Sequence, residues 1–340
     1  MRVFHRRAVP LFLALSAVFA ASAVEAQSAR EFYQNKNLTF IVGSSAGGSY
    51  DLTARAVGRH LPNHLPGVGT VIVRDMPGAG GLTSVLYLDN TGPKDGTVLS
   101  AFNAGVISDS VAAGAQAKTK FTDYAWIGSV MRDLRVCYAW RASKIPAWAD
   151  MAKRKETIFG ATGVNSNSYN GAATIRNLFG INIKIIPAYP GTSEMFIAIE
   201  RGELDAACSS WVAIPPAWVK EKKIDVLVRL GTGTTSEIPA SVPFIGDLAS
   251  SQEQKDIIDI LKAPADLGRP FIVSKEVPAD RVALLRAAFD ATMSDPAFKA
   301  DAQKQRIWVD PISGKDAQVM IERLYGFSPE LIGKMKAALK

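Results

Sequence analysis

Short β-branched segments alternate with helical segments along the chain, and this alternation restricts the fold more than any other feature. The first unit is a strand at 38–42, a loop rich in Gly and Ser, and a helix from 52 to about 61 with Asp51 as its expected N-cap. Two more β-branched segments follow at 71–73 and 97–102, with a helix between them. Three such units in succession predict a mainly parallel sheet with right-handed crossovers.

The pattern restarts after residue 126 and predicts a second sheet of similar size. The expected strands lie at 134–140, 157–160, 183–186, 204–208 and 225–229. A short strand at 271–273 and helices at 279–294, 296–303 and 316–339 are expected to end the chain. The predicted fold class is therefore α/β, with two doubly wound Rossmann-like domains. Ligands of such folds bind at the carboxyl ends of the strands, and two facing edges form a cleft.

The first 26 residues have the form of a secretory signal peptide. Three arginines precede an apolar run from 8 to 23, and Val24 and Ala26 occupy the positions that signal peptidase reads. The run is too short for a permanent membrane anchor, and no later apolar stretch approaches the ~20 residues of a transmembrane helix. We therefore expect export to the periplasm and a mature chain of about 314 residues, enough for two domains.

The charge and the residue types argue against several functional classes. Loss of the signal segment lowers the formal charge from +7 to +5, a mild and dispersed excess that does not indicate nucleic-acid binding. Two Cys and three His do not form a familiar metal motif, and neither a phosphate-binding P-loop nor a G-x-G-x-x-G motif is present. We expect no cofactor, no metal ion and no nucleic-acid partner.

A serine hydrolase is the enzymatic alternative, because Gly43-Ser44-Ser45-Ala46-Gly47 matches G-x-S-x-G between a strand and a helix. Ser45 would be the nucleophile. The general base of such an enzyme is a His far downstream, yet no His follows His64, and His60 lies in the helix that the motif opens. The missing base argues against catalysis.

Two loops of similar composition, 43–51 and 162–170, precede helices in the two predicted domains. Small residues allow backbone N–H groups to turn inward, and hydroxyl and amide side chains add further donors. Either loop alone could be an ordinary capped turn. Two loops in matching positions indicate an anion site that holds a carboxylate through neutral donors rather than arginines.

Several segments in order along the chain resemble the tripartite tricarboxylate transporter substrate-binding proteins, the Bug/TctC family. They are Ile41–Asp51, Met76–Gly81, Pro93–Thr97, Ile186–Gly191, Gly202–Asp205 and Val277 with Pro278. The resemblance implies a periplasmic binding protein type II-like fold. It places residues 27–128 and 268–340 in one discontinuous domain and 129–267 in the other. It further implies a monomer that delivers a small carboxylate to membrane permease subunits. A sensory protein that passes the ligand to a receptor is an alternative that the residues leave open.

The resemblance and the two loops together give a set of expected ligand-binding residues. The first domain contributes Ser44, Ser45, Ala46, Gly47, Gly48, Ser49, Tyr50, Asp51, Gly80 and Asn103. The second contributes Thr162, Gly163, Val164, Asn165, Ser166, Asn167, Ser168, Tyr189, Asp205, Ser209 and Trp211. Both loops depart from the family pattern, so the ligand is either an aliphatic dicarboxylate or an aromatic acid. For an aromatic acid, a flat apolar middle is expected from Tyr50, Phe102, Tyr169, Tyr189 and Trp211.

Cys137 and Cys208 are the two cysteines of the chain, and both lie in predicted strands of the second domain. Export favours a disulfide. The resembled fold places their two strands side by side, which would allow the bond. Two buried thiols that pack as small apolar groups are the alternative.

Overall fold

The computed structural model describes residues 31–340 except 45, 48, 162, 163, 165, 190, 191 and 234. The expected signal segment lies outside the described residues. Within the described part of the chain, no helix is both long and apolar enough to cross a bilayer. The same residues contain no group of three or more His, Cys, Asp or Glu side chains placed to hold a metal ion.

The strands form a six-stranded and a five-stranded sheet. In chain order they are β1 Leu38–Val42, β2 Val71–Asp75, β3 Val98–Ala101, β4 Tyr124–Ser129, β5 Arg135–Trp140, β6 Thr157–Gly160, β7 Ile183–Ile186, β8 Ala206–Ser210, β9 Ile224–Arg229, β10 Pro270–Ser274 and β11 Ile312–Ser313.

Helices cover both faces of the two sheets. In chain order they are α1 Ser49–His60, α2 Leu82–Asn90, α3 Gly105–Ala113, α4 Trp148–Lys153, α5 Asn167–Phe179, α6 Thr192–Glu200, α7 Pro216–Lys220, α8 Gln252–Asp266, α9 Ala279–Ser294, α10 Pro296–Lys304, α11 Gly314–Tyr325 and α12 Pro329–Ala338.

The first sheet has the order β11-β4-β10-β3-β1-β2 and takes strands from both halves of the chain. β1 is parallel to β2 and β3, whereas β10 is antiparallel to β3 and β4. The second sheet has the order β7-β6-β8-β5-β9, with β6 parallel to β7 and β8, and with β5 antiparallel to β8 and β9. The α/β class with two sheets is thus as predicted, and antiparallel strands are added where the chain passes between the sheets.

Two segments carry the chain between the sheets, 130–134 after β4 and 267–269 before β10. They are hydrogen bonded to each other: Gly268 N–H donates to the Met131 carbonyl at 3.1 Å, and Val130 N–H donates to the Arg269 carbonyl at 3.1 Å. We call them the crossing segments. Their pairing brings the start of β5 beside the start of β10.

Three loops meet at the carboxyl edge of the first sheet because glycines allow their backbones to touch. Gly81 has φ +101°, and a Cβ built there would lie 3.2 Å from both the Asn103 nitrogen and the Gly43 oxygen. A side chain at Gly81 would therefore separate the loops that follow β1, β2 and β3.

Two predicted helix boundaries were wrong. The first helix begins at Ser49, not after an N-cap at Asp51, because the Asp51 carboxylate turns back to accept the Gly47 N–H at 2.7 Å. The predicted helix at 316–339 is two helices: α11 ends at Tyr325, and Ser328 caps α12 by accepting the Leu331 N–H. Pro329 is the first residue of α12, a position that tolerates the missing N–H of proline.

Candidate functional site

A cleft of about 640 Å³ lies between the two sheets, within the usual size range of small-molecule sites. On the side of the first sheet it is lined by Asn103 and by the start of α3. On the side of the second sheet it is lined by the start of α5 and by the ends of β5 and β8 that face the crossing segments. Residues from α6, α8 and α12 also line it, together with Ala213, Leu230 and Ile245. Both α3 and α5 follow strands, so their N-terminal N–H groups lie at the cleft.

The polar lining of the second sheet centres on the first turn of α5. Ser166 is its N-cap, and the Ser166 hydroxyl accepts the Tyr169 N–H at 3.2 Å. Ser166, Asn167 and Ser168 all line the cleft, as do Ser209 and Ser210 at the end of β8. This part of the wall therefore offers hydroxyl and amide groups, as the sequence predicts.

A guanidinium also lines the cleft, which the sequence analysis did not expect. Arg135, the first residue of β5, donates from Nε to Asp133 at 2.9 Å and from Nη1 to the Asn167 amide oxygen at 2.8 Å. Asp133 is buried and also accepts the Ser210 hydroxyl. The Arg135 side chain is only 21% exposed. These contacts hold it in one orientation.

A second arginine lies next to the first loop. The Arg269 guanidinium carbon lies 4.2 Å from the centroid of the Tyr50 ring, and its Nη2 donates to the Ser49 hydroxyl at 3.1 Å. Burial raises the pKa of Tyr50, while Arg269 and Arg135 both act to lower it and Asp133 acts to raise it. We call Tyr50, Asp133, Arg135 and Arg269 the crossing cluster, since these side chains interact where the crossing segments meet the first loop.

The Asp51 carboxylate bonds back to the first loop at Gly47. Asp51 accepts the Gly47 N–H and the Arg55 Nε, the latter at 2.7 Å. Burial alone would raise the pKa of Asp51, but these two contacts outweigh it and hold the pKa below its usual range. Asp75, which shares Arg55 with Asp51, has a raised pKa because of burial and the nearby Asp51 charge.

The two cysteines form a disulfide beneath the cleft. Cys137 on β5 lies directly opposite Cys208 on β8, and the two sulfur atoms are bonded. Cys208 lines the cleft, and the α5 backbone at Gly171 packs closely on it. The bond joins β5, which begins at Arg135, to β8, which ends at Ser210.

Searches against family models and against curated proteins found no match. Solved structures do match. A TctC solute-binding protein from Polaromonas is 19% identical, with a TM-score of 0.73 over 89% of this chain and 99% of that chain. MatC from Rhodopseudomonas palustris, solved with bound malate, is 18% identical, with a TM-score of 0.55 over 90% of this chain and 99% of its own. An R. palustris protein solved with adipate is 16% identical, with a TM-score of 0.58 over 89% and 97%.

This chain has the fold of TctC solute-binding proteins. The sequence-based expectation of a periplasmic binding protein architecture is therefore confirmed at the level of the fold. In this TctC fold the described helix starts at the cleft are those of α3, α5 and α6, which follow β3, β6 and β7.

The TctC fold brings only part of the expected site into the cleft. Of the expected ligand-binding residues, the described cleft lining includes Asn103, Ser166, Asn167, Ser168 and Ser209. Ser45, Gly48, Thr162, Gly163 and Asn165 lie outside the described residues. The exposure of Gly80 is likewise not described. The other expected residues are absent from that lining: Ser44, Ala46, Gly47, Ser49, Tyr50, Asp51, Val164, Tyr189, Asp205 and Trp211.

Two of these residues have structural roles elsewhere. Asp205 precedes β8 at the end opposite Ser209, where its carboxylate accepts the Ile158 N–H at 2.9 Å. Trp211 is buried, and its Nε1 donates to Glu237 at 2.9 Å. Asp205, which the resemblance assigned to the ligand site, thus links β6 to β8 in this chain.

The five aromatic residues expected to surround the middle of the ligand do not line the described cleft. Phe102 is fully buried and stacks on Phe121, with ring centroids 5.2 Å apart. The Tyr169 hydroxyl donates to the Lys340 main-chain oxygen at 3.0 Å. None of the five aromatic residues belongs to the described lining of the cleft. The structure therefore lends no support to a flat aromatic slot.

The described histidines are bonded to helix α10 and its cap. His60 Nε2 lies 3.0 Å from Asp301, and His64 Nε2 lies 3.0 Å from Asp295. Ser45 itself is not described, but its neighbour Gly47 is tied to Asp51 at the opposite end of α1 from His60. Neither described histidine is placed as the general base of a hydrolase at the G-x-S-x-G motif.

The sequence analysis missed Arg135, Ser210, the start of α3, the α12 residues Met335 and Lys336, and Leu339 directly after α12, all of which line the cleft. The sequence contains one indication that Arg135 belongs to a polar cluster. Asp133 and Arg135 are two residues apart at the entry to a strand, a spacing that places two side chains on the same face. The contribution of α12 has no such signal, since it depends on how the end of the chain folds back.

Proposed function

We propose that this chain is an exported solute-binding protein that captures a small organic carboxylate for a tripartite tricarboxylate-type transporter. The cleft carries this proposal. Its polar wall includes hydroxyl, amide and backbone donors at the starts of α3, α5 and α6, together with one guanidinium. Such groups favour an anion, and charge-assisted hydrogen bonds to a carboxylate are stronger than neutral ones.

The solved relatives add support to a carboxylate ligand. Two proteins that share this fold were solved with malate and with adipate, both aliphatic dicarboxylates. Because the five candidate aromatic residues do not line the described cleft, we favour an aliphatic acid over an aromatic one.

The proposal includes two domains, each containing one of the two sheets. Residues 27–128 and 268–340 form one domain and 129–267 the other, in keeping with the crossing segments at 130–134 and 267–269. Export through the segment 1–26, a periplasmic location, a monomeric state and delivery to permease subunits are parts of the same proposal. They are supported by the signal-like sequence and by neighbours that are periplasmic binding proteins.

We also propose that the protein binds its ligand without converting it. The described histidines are bonded to aspartates of α10 and its cap, away from the G-x-S-x-G segment. Hydrolysis of ester substrates that is lost in Ser45→Ala, with ligand binding retained, would instead support the enzymatic alternative.

A thermal-shift screen tests the proposal. A ligand that binds only the folded state raises the unfolding midpoint, and at 100 times its Kd it stabilises by about 2.7 kcal/mol. We expect a rise with malate, adipate or succinate and a smaller rise or none with benzoate. A larger rise with benzoate than with every aliphatic acid would reverse the ligand preference, and no rise with any carboxylate would contradict the function.

A further inference from the structure

The crossing cluster carries an excess of positive charge beside the cleft. It contains two guanidinium groups, Arg135 and Arg269, and one carboxylate, Asp133. Among the described residues, Asp133 is the ion-pair partner of Arg135, and no carboxylate lies within ion-pair distance of Arg269. The cluster therefore carries one net positive charge beside the cleft.

Arg135 is the member of the cluster that reaches the cleft. It lines the cleft, and its Nε and Nη1 are held by Asp133 and Asn167 at 2.9 and 2.8 Å. Since the guanidinium is planar, two fixed nitrogens fix the direction of the whole group. An arginine already oriented loses little side-chain entropy when an anion binds.

The other charged groups of the cleft lining are less suited to this task. Lys262 has two carboxylate partners, Asp266 at 2.8 Å and Asp259 at 3.5 Å, whereas Arg135 has only Asp133 among the described residues. Lys336 is exposed on α12. Asp109 on α3 would repel an anion, and burial raises the pKa of this carboxyl. A ligand carboxylate is therefore best placed on the α5 side of the cleft, next to Arg135 and away from Asp109.

We propose that Arg135 selects charged carboxylates in this cleft by binding one carboxylate of the ligand, while Asp133 and Asn167 position its guanidinium. This inference rests on the proposed function and adds to it. The ligand is held by a positive charge as well as by neutral donors. The cleft therefore distinguishes an acid from its amide, which neutral hydroxyl donors do only weakly.

The test compares the acid selectivity of the wild type with that of Arg135→Gln. Titration calorimetry with adipate and malate, and with their neutral diamides, gives the ratio of affinities for acid and amide. Because a charge-assisted pair is lost, we expect Arg135→Gln to weaken acid binding about tenfold or more and to bring the ratio close to one. Arg135→Lys keeps the charge but loses the planar fork, so we expect an intermediate ratio.

Arg132→Gln is the matched control. Arg132 lies three residues earlier, on the crossing segment that precedes β5, and pairs with Asp310 at 2.6 Å, outside the described lining of the cleft. Its replacement removes the same formal charge and should leave the acid-to-amide ratio unchanged. If Arg135→Gln does not fold, as judged by circular dichroism, the comparison is made between Arg135→Lys and the wild type.

The possible outcomes separate this inference from the proposed function. A wild-type protein that binds no carboxylate, neither these two acids nor any other in the thermal-shift screen, overturns the proposed function and this inference with it. A wild type that binds an acid, while Arg135→Gln keeps the same affinity and selectivity, overturns the role of Arg135 alone. Equal losses in Arg132→Gln and Arg135→Gln would also overturn it, because the effect would then come from net charge.

Discussion

At the scale of single residues, close backbone contacts decide which side chains the cleft can contain. Gly171 lies on α5 against the disulfide, and a Cβ built there would lie 2.8 Å from Leu230 Cδ1 and 3.0 Å from Cys208 Sγ. The cross-linked Cys208 has no freedom to move away. Gly171 therefore sets the depth at which α5, and with it Ser166 to Ser168, sits on the second sheet.

We expect Gly171→Ala to lower the free energy of unfolding. Overpacking of this kind costs about 1–3 kcal/mol, more than the roughly 1 kcal/mol that Ala gains over Gly in a helix. Urea unfolding measures the change. Gly333→Ala is the control, because Gly333 lies in α12 with no atom within 4 Å of an added Cβ, and it should be neutral or stabilising. An equal increase in the free energy of unfolding of both variants would show that α5 is not tightly packed against the disulfide at Gly171.

At the scale of secondary-structure elements, β5 and β8 form the base of the cleft. They are antiparallel neighbours, and Cys137 is paired in register with Cys208. The bond closes a loop with a sequence separation of 71 residues. Because a cross-link restricts the unfolded chain, this bond contributes to stability beyond the packing of the two strands.

The double variant Cys137→Ala/Cys208→Ala should be less stable than the oxidised wild type by about 4 kcal/mol, as the chain-entropy relation gives for a loop of this length. Urea unfolding of both proteins with and without a reductant measures it. The stability of the variant should not respond to the reductant, whereas the wild type should lose a similar amount once reduced. Two alkylatable thiols in the exported wild type would contradict the disulfide itself.

The sequence predicted many elements because their signals are local. The β-branched runs at 38–42, 157–160 and 183–186 match β1, β6 and β7 residue for residue. α8 was not predicted. Its apolar residues face two cores at once, with Ile257 in the core of the first sheet and Ile258 in that of the second, so no single stripe stands out.

The site was less predictable than the fold because some of its residues come together from separate segments of the chain. Ser166 to Ser168 could be found because a polar loop ahead of a helix is a local pattern. Arg135 becomes part of the site only through Asp133 and Asn167, which belong to separate segments. Asp205 was assigned by resemblance alone, and in this chain it bonds a neighbouring strand.

At the scale of the whole molecule, helix α12 joins the two halves. It packs against α3 and α8 and reaches α5 of the second sheet. Asn177 Nδ2 donates to the Ala338 carbonyl at 3.0 Å, and Arg176 Nη2 donates to the Lys340 main-chain oxygen at 2.8 Å. Met335 and Leu339 of the same segment line the cleft. These contacts favour a compact arrangement of the sheets around the ligand.

We expect Arg176→Ala/Asn177→Ala to expand the ligand-free protein and to weaken carboxylate binding several-fold, since the ligand would then have to supply more of the closure free energy. Small-angle X-ray scattering gives the radius of gyration and calorimetry the affinity. Lys334→Ala is the control, because it removes only exposed ion pairs of α12 with Glu253 and Glu330. An unchanged radius and affinity in the double variant would contradict a coupling role for α12.

The central claim is that this cleft binds one small carboxylate. The most direct measurement is calorimetric titration of the mature protein with adipate or malate, beside the corresponding neutral diamide. The account predicts saturable binding of an acid at one site per chain, with the diamide bound more weakly. Absence of saturable binding by any aliphatic dicarboxylate, or equal binding of acid and diamide, would contradict it.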